Sequence, residues 1–148
     1  MIHNISLPSG EFDNCHVEDF FAGCLDVGQH SSFQYIESLR VSSHLFIRRN
    51  GEVIQFVDFT KRAWHAGVSS FNGVNKCNDF SIGIELEGTD YIEYTNIQYT
   101  SLSEVTKLLM NAYPKITNKH ICGHCDIAPG RKTDPGEAFD WKRYLKSF

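Results

Sequence analysis

The segment Phe80-Ser81-Ile82-Gly83-Ile84-Glu85-Leu86-Glu87 alternates apolar residues with polar or small ones along its whole length. Successive side chains of a strand point to opposite faces, so Phe80, Ile82, Ile84 and Leu86 share one face and Ser81, Gly83, Glu85 and Glu87 the other. The pattern predicts a strand with an aliphatic face and an acidic one. Upstream, Ser43 to Arg48 and Val53 to Val57 are rich in strand formers and flank Arg49-Asn50-Gly51-Glu52. Asn-Gly suits the positive-φ positions of a tight hairpin turn, which predicts two antiparallel strands. Downstream, Thr95 and Gln98 have capping-box spacing, and Tyr99, Leu102, Val105, Leu109 and Ala112 recur at helical spacing until Tyr113-Pro114. A helix over 96–112 is expected. Shorter helices are expected around Phe20-Phe21 and from Pro135, as a first helical residue, through Phe139, Trp141, Tyr144 and Leu145. Strands interspersed with helices give an α/β fold: a sheet with helices packed on it.

The 148 residues suit one domain, 1–148, and 41% hydrophobic with 22% charged residues is the balance of a chain that can bury a core. A net charge of -4 provides no basic field for nucleic acid or an anionic membrane, and no apolar run is long enough to span a bilayer. The five cysteines, Cys15, Cys24, Cys77, Cys122 and Cys125, are odd in number and irregularly spaced, which predicts free thiols in a reducing compartment. The first residues, Met1-Ile2-His3-Asn4, contain no basic stretch leading into an apolar one, so a cytoplasmic location is expected.

Seven histidines invite a metal reading. His16, His30 and His120 stand in polar, turn-like surroundings and are expected at the surface; His44, inside a hairpin strand, is expected as a packed, hydrogen-bonded histidine. His3, His65 and His124 lie beside small or turn residues, where side chains can converge. The densest functional stretch is Cys122 to Gly136, a glycine- and proline-broken loop with His124, Asp126, Arg131, Lys132 and Asp134. A catalytic zinc takes three N, O or S ligands and leaves one position open, and His124 and Asp134 could give two of them. Lys132 would place a cation where an oxyanion develops, or be a solvated surface lysine. Glu85 and Glu87 are either solvated edge carboxylates or, for one of them, a general base.

Cys122-Gly123-His124-Cys125 also matches a thiol-disulfide redox motif. Such a motif works at the N-terminus of a helix, whereas Pro129-Gly130 follows here within four residues and no helical periodicity continues. The redox reading is therefore the weaker one.

Taken together, His3 to Pro8, Arg40 to His44, Arg62 to Gly67, Asn78 to Asp90 and Gly123-His124 with Lys132 to Gly136 resemble the AmpD-type 1,6-anhydro-N-acetylmuramyl-L-alanine amidases. These are cytoplasmic zinc enzymes whose fold is shared with phage T7 lysozyme and peptidoglycan recognition proteins. The resemblance implies a central mixed sheet flanked by helices, with His3, His124 and Asp134 as zinc ligands. It implies Glu85 as the acidic catalytic residue and Lys132 as the lysine near the metal. In phage-type relatives a tyrosine precedes the histidine equivalent to His44; Ser43 stands there, which adds weight to Glu85. Asn4, Arg40, Trp64, His65 and Lys76 are implied to line the muropeptide groove, with lysine at 76 where an arginine is more familiar.

The implied activity is hydrolysis of the amide between (1,6-anhydro-)N-acetylmuramic acid and L-alanine during peptidoglycan recycling, by a monomer. A recognition module without catalysis would lack a ligand, and all three are present. An exported or phage-type amidase acting on intact murein is disfavoured by the missing export signal. The strand that leads into the first ligand in the family is cut to Met1 and Ile2 here, so residues 1–8 are expected to fray and to lean on zinc for order.

Overall fold

The computed structural model describes residues 1–148. Its centre is a four-stranded mixed sheet: β1 (Ile2–Ile5), β2 (Leu45–Ile47), β3 (Val53–Gln55) and, much later in the chain, the strand Ile84–Glu87. A small separate hairpin supplies β4 (Ser70–Phe71) and β5 (Val74–Asn75), so Ile84–Glu87 is β6. The order across the sheet is β1-β6-β2-β3, with β6 parallel to both neighbours and β2 antiparallel to β3. The β2-β3 turn falls at the expected Asn50-Gly51, with Gly51 alone of the two at positive φ. Gly51 has φ 85, a conformation that favours glycine, and a Cβ there would meet Ile97 at 2.6 Å.

Helix α1 is His16–Ala22 and ends on Gly23 at φ 75; α2 is Asn96–Ala112; α3 is the single turn His124–Ile127; α4 is Trp141–Leu145. Thr95 and Gln98 form the expected capping box. The core gathers Ile2, Leu45, Ile47, Ile84 and Leu86 from one sheet face, with Tyr99, Leu102 and Leu109 of α2 and Phe139 and Tyr144 from the C-terminal segment. Each such side chain fully buried contributes about 1.5–3 kcal/mol of transfer free energy. Gln98, fully buried, donates to the carbonyls of Ile47 and Glu87 and so pins α2 to two strands. On the opposite sheet face, Phe21 of α1 packs edge-on to Phe46 and Phe56.

Three expectations change. The strand around Glu85 starts only at Ile84, because Cys77–Asp79 forms a 3-10 turn capped by Phe80, whose ring is half exposed. Glu87 is not solvated. Its carboxylate is buried and accepts from the backbone N–H groups of Asp13 and Arg49, which gives it a structural role. Pro135 does not open a helix: Gly136 follows at φ 83 against the backbone of Asp90, and α4 begins six residues later, where Asp140 caps the N–H of Arg143.

The N-terminal strand is also better held than expected. β1 pairs with β6 over Ile2 to Ile5, the Ile2 N–H donates to the Cys122 carbonyl, and Ile2 and His3 are each 1% exposed.

Candidate metal centre and active site

Strand register builds the site. His3 on β1, Glu85 on β6 and Phe46 on β2 are partners across adjacent strands, so their side chains project from the same sheet face, away from the main core. The loop following Cys122 approaches that face. Its two ends, which carry the prospective ligands His124 and Asp134, are tied together by a hydrogen bond from the Cys125 N–H to the Asp134 carbonyl, 3.0 Å. Asn4 and Tyr94 both donate to the carbonyl of Pro135, next to Asp134, at 3.0 and 2.7 Å, and Asn4 also donates to Asp90.

The result is a compact triangle. His3 Nδ1 lies 3.0 Å from His124 Nδ1 and 3.1 Å from Asp134 Oδ2, and the remaining side is 3.0 Å. All three residues are buried. Four ligands arranged tetrahedrally around zinc at bonds of about 2.0–2.2 Å stand roughly 3.3–3.6 Å apart, so three donors at 3.0–3.1 Å need move outward by only a few tenths of an ångström to surround one ion with a fourth direction open. Two imidazoles and a carboxylate form a donor set suited to zinc. Burial pushes His3 down to about 4, which keeps its ring neutral and available as a ligand at neutral pH.

Glu85 stands beside the triangle, with Oε1 4.0 Å from His3 Nδ1. Its Oε2 is buried and has no hydrogen-bond partner. Burial, and next the negative Asp134, raise the Glu85 carboxyl well above its ordinary value, while Lys132 pulls it back. A carboxyl so perturbed, with a bare oxygen beside a candidate metal centre, has the properties of a proton-transfer group. Lys132 itself is exposed, on the turn between the two loop ligands.

The remaining expected residues are more scattered. His65 abuts the triangle, its Nδ1 2.9 Å from His3 Nε2. Trp64 is 54% exposed and lies under the Arg62 guanidinium, 3.8 Å from the ring centre. Arg40 is exposed on a different loop and donates to the carbonyls of Glu37 and Leu39, while Lys76 is exposed at φ 63 ahead of the 3-10 turn. A roomy cavity of about 990 Å³ is lined by residues such as Phe59, Ile82, Tyr113 and Ile116 and includes no member of the triangle. Size does not mark the site here; convergent chemistry does.

His44 is buried, accepting from the Gly83 N–H and donating to the Lys61 carbonyl. All five cysteines are free. Burial raises the Cys122 and Cys125 thiols, opposite to the shift a redox thiol requires, and α3 stops after one turn, ahead of Pro129. Sequence reasoning missed the Ala66 carbonyl, Asn78 and Ser81, which brace the triangle from behind. A backbone carbonyl carries no residue signature, and Asn78 and Ser81 act from across the fold.

Residues 1–137 match the family model described as N-acetylmuramoyl-L-alanine amidase. The chain is 57% identical over 144 residues to the 1,6-anhydro-N-acetylmuramyl-L-alanine amidase AmpD of Escherichia coli, covering 97% of this chain and 78% of that one. With the enzyme of the same name from Haemophilus influenzae the identity is 56%, covering 99% and 80%. A crystal structure of a selenomethionine derivative of AmpD superposes with TM-score 0.97 at 55% identity, covering 99% of this chain and 82% of that one. The E. coli amidase AmiD, in complex with the substrate anhydro-N-acetylmuramic acid-L-Ala-D-gamma-Glu-L-Lys, superposes at 0.70 with 30% identity, covering 99% and 55%. With parallel β1 and β6 side by side beneath a histidine- and aspartate-bearing loop, and with these likenesses over nearly its whole length, this chain belongs to the N-acetylmuramoyl-L-alanine amidase family of hydrolases.

Proposed function

We propose that the protein is a zinc amidase of cytoplasmic peptidoglycan recycling, cleaving the amide that joins (1,6-anhydro-)N-acetylmuramic acid to the L-alanine of a soluble muropeptide. The observation that carries this reading is the buried triangle of His3, His124 and Asp134 with the unpartnered Glu85 carboxylate at its edge. The names of its relatives with more than half of their residues identical support the substrate class.

In this reading His3, His124 and Asp134 hold zinc, which when bound supplies Lewis acidity for the scissile carbonyl and lowers the pKa of water. Glu85 takes a proton from the attacking water and delivers it to the leaving amine of L-alanine. Burial suits it to this exchange, since a carboxyl of raised pKa holds a proton at neutral pH better than a solvated one. Lys132 sets a positive charge against the oxygen of the tetrahedral carbon. Trp64 presents an open ring face for sugar or peptide, and Arg40 and Lys76 offer cations to stem-peptide carboxylates. Asn4 serves the site by tying the Asp134-Pro135 turn to Asp90, since its amide donates to the Pro135 carbonyl and to the Asp90 carboxylate and is left with no hydrogen for substrate.

Turnover of soluble anhydromuropeptide, compared with release of peptide from cross-linked murein, tests this function. Strong preference for the soluble substrate is expected. Equal rates on the two would remove the recycling role.

A further inference from the structure

The segment Trp64-His65-Ala66 lies directly behind the metal triangle and touches both of its histidines. His65 Nδ1 is 2.9 Å from His3 Nε2, and the Ala66 carbonyl is 3.0 Å from His124 Nε2. Those ring nitrogens are the ones turned away from the triangle. Asn78 fixes the segment, its side-chain oxygen accepting from the N–H groups of His65 at 3.0 Å and Ala66 at 2.8 Å. Asn78 is 5% exposed, so these bonds are shielded from competing water.

The protons along this path can be assigned from its far end. The Ser81 hydroxyl is 2.6 Å from the Cys77 carbonyl, a contact that only the hydroxyl can supply with a hydrogen. Its oxygen is then free only to accept at His65 Nε2, 3.3 Å away, so that nitrogen carries the His65 proton. A neutral His65 protonated on Nε2 has a bare Nδ1, which must accept from His3 Nε2. A neutral His3 protonated on Nε2 has its free electron pair on Nδ1, facing the triangle. The second histidine faces two neighbours: His124 Nε2 lies 3.0 Å from the Ala66 carbonyl, which only accepts, and 3.4 Å from the Arg131 guanidinium, which donates to that same carbonyl at 2.7 Å; the closer contact puts the His124 proton on Nε2 and leaves Nδ1 bare. Three electron pairs, from His3, His124 and Asp134, then face one another at 3.0–3.1 Å with no proton between them. That arrangement is repulsive until a cation enters.

The strand beneath is shaped for this path. Gly83 leaves the space in which the His65 ring sits, and a Cβ at that position would lie 2.4 Å from the ring. His65 is thereby confined with its two nitrogens on His3 and Ser81, and neither is left for a ligand.

We propose that His65 is a positioning residue of the metal centre, not a substrate contact, and that it and the Ala66 carbonyl fix the tautomers of both ligand histidines, with Ser81 and Asn78 as their anchors. The proposal rests on the zinc reading of the triangle. Outer partners of this kind typically change metal affinity by about 10–100-fold when removed, because a ligand ring freed from its partner loses both orientation and basicity.

The test is zinc affinity, measured by competition with a chromophoric chelator, for wild type, His65→Phe and His65→Asn. Phenylalanine keeps a ring in the Gly83 slot without an acceptor, whereas asparagine restores an oxygen near the Nδ1 position. About 10–100-fold weaker binding in His65→Phe and recovery to within a few-fold in His65→Asn are expected. Binding within two-fold of wild type in His65→Phe would overturn the proposal. Nitrogen NMR of the imidazoles in wild type needs no variant to fold: His65 protonated on Nε2 is expected, and protonation on Nδ1 would overturn the relay. Failure of wild type to take up zinc would strike the metal reading instead, and the ring spectrum of that protein would still decide the relay.

Discussion

His3 and Glu85 are cross-strand partners on parallel β1 and β6, with Nδ1 and Oε1 4.0 Å apart. The first proposed metal ligand and the proposed proton-transfer carboxylate are therefore placed by sheet register. A one-residue slip would turn one of them to the opposite face, toward Leu86 and Tyr99.

Glu85→Gln keeps the shape of the side chain but removes its proton acceptor. Turnover should fall by roughly 10²-fold or more while one zinc per chain is retained. Near-normal turnover would take Glu85 out of the chemistry, and Glu87, held by two backbone N–H groups, is poorly placed to replace it.

The same substitution carries a pH signature in metal-free protein. The folded-state pKa of Glu85 lies well above its ordinary 4.5, so the folded chain keeps a proton that the unfolded chain releases. That contribution is complete below about pH 4.5 and is lost as pH rises through the folded value. Thermal melts in chelator should show Glu85→Gln gaining on wild type between pH 5 and pH 8. A melting temperature of Glu85→Gln that falls relative to wild type, or keeps a constant offset from it, over that range would contradict the burial argument.

Gly83→Ala introduces a Cβ 2.4 Å from the His65 ring, which is held at both nitrogens and has little freedom to yield. A loss of about 1–3 kcal/mol is expected, as for other overpacked sites, read by urea unfolding. Unchanged stability would mean that the ring moves aside at no cost.

Much of this was legible in the sequence where the signal is local. The Thr95–Gln98 capping box, the Asn50-Gly51 turn and the apolar stripe of α2 each declare themselves within a few residues. The strand at Glu85 was legible in kind but not in extent, because Ser81 folds back on the Cys77 carbonyl and the run from Phe80 to Gly83 is given to a turn and to the slot for His65. The burial of Glu87 and the firm seating of β1 depend on Asp13, Arg49 and Cys122, partners far along the chain. His3, His124 and Asp134 emerged together from the resemblance. Spacing alone gave only the two in one loop.

Cys122 and Cys125 flank His124 yet neither joins the triangle, and burial keeps both thiols protonated. The double variant Cys122→Ser, Cys125→Ser should retain one zinc per chain by metal analysis. Loss of the metal would show that a thiol takes part in holding it.

The most direct measurement is a zinc titration of chelator-stripped protein followed by release of free peptide from soluble anhydromuropeptide. Activity absent at the start, rising linearly and levelling at one zinc per chain, with no recovery in His124→Ala or Asp134→Ala, is expected from the His3, His124 and Asp134 site. Full activity in the stripped protein, or equal recovery in those variants, would contradict it.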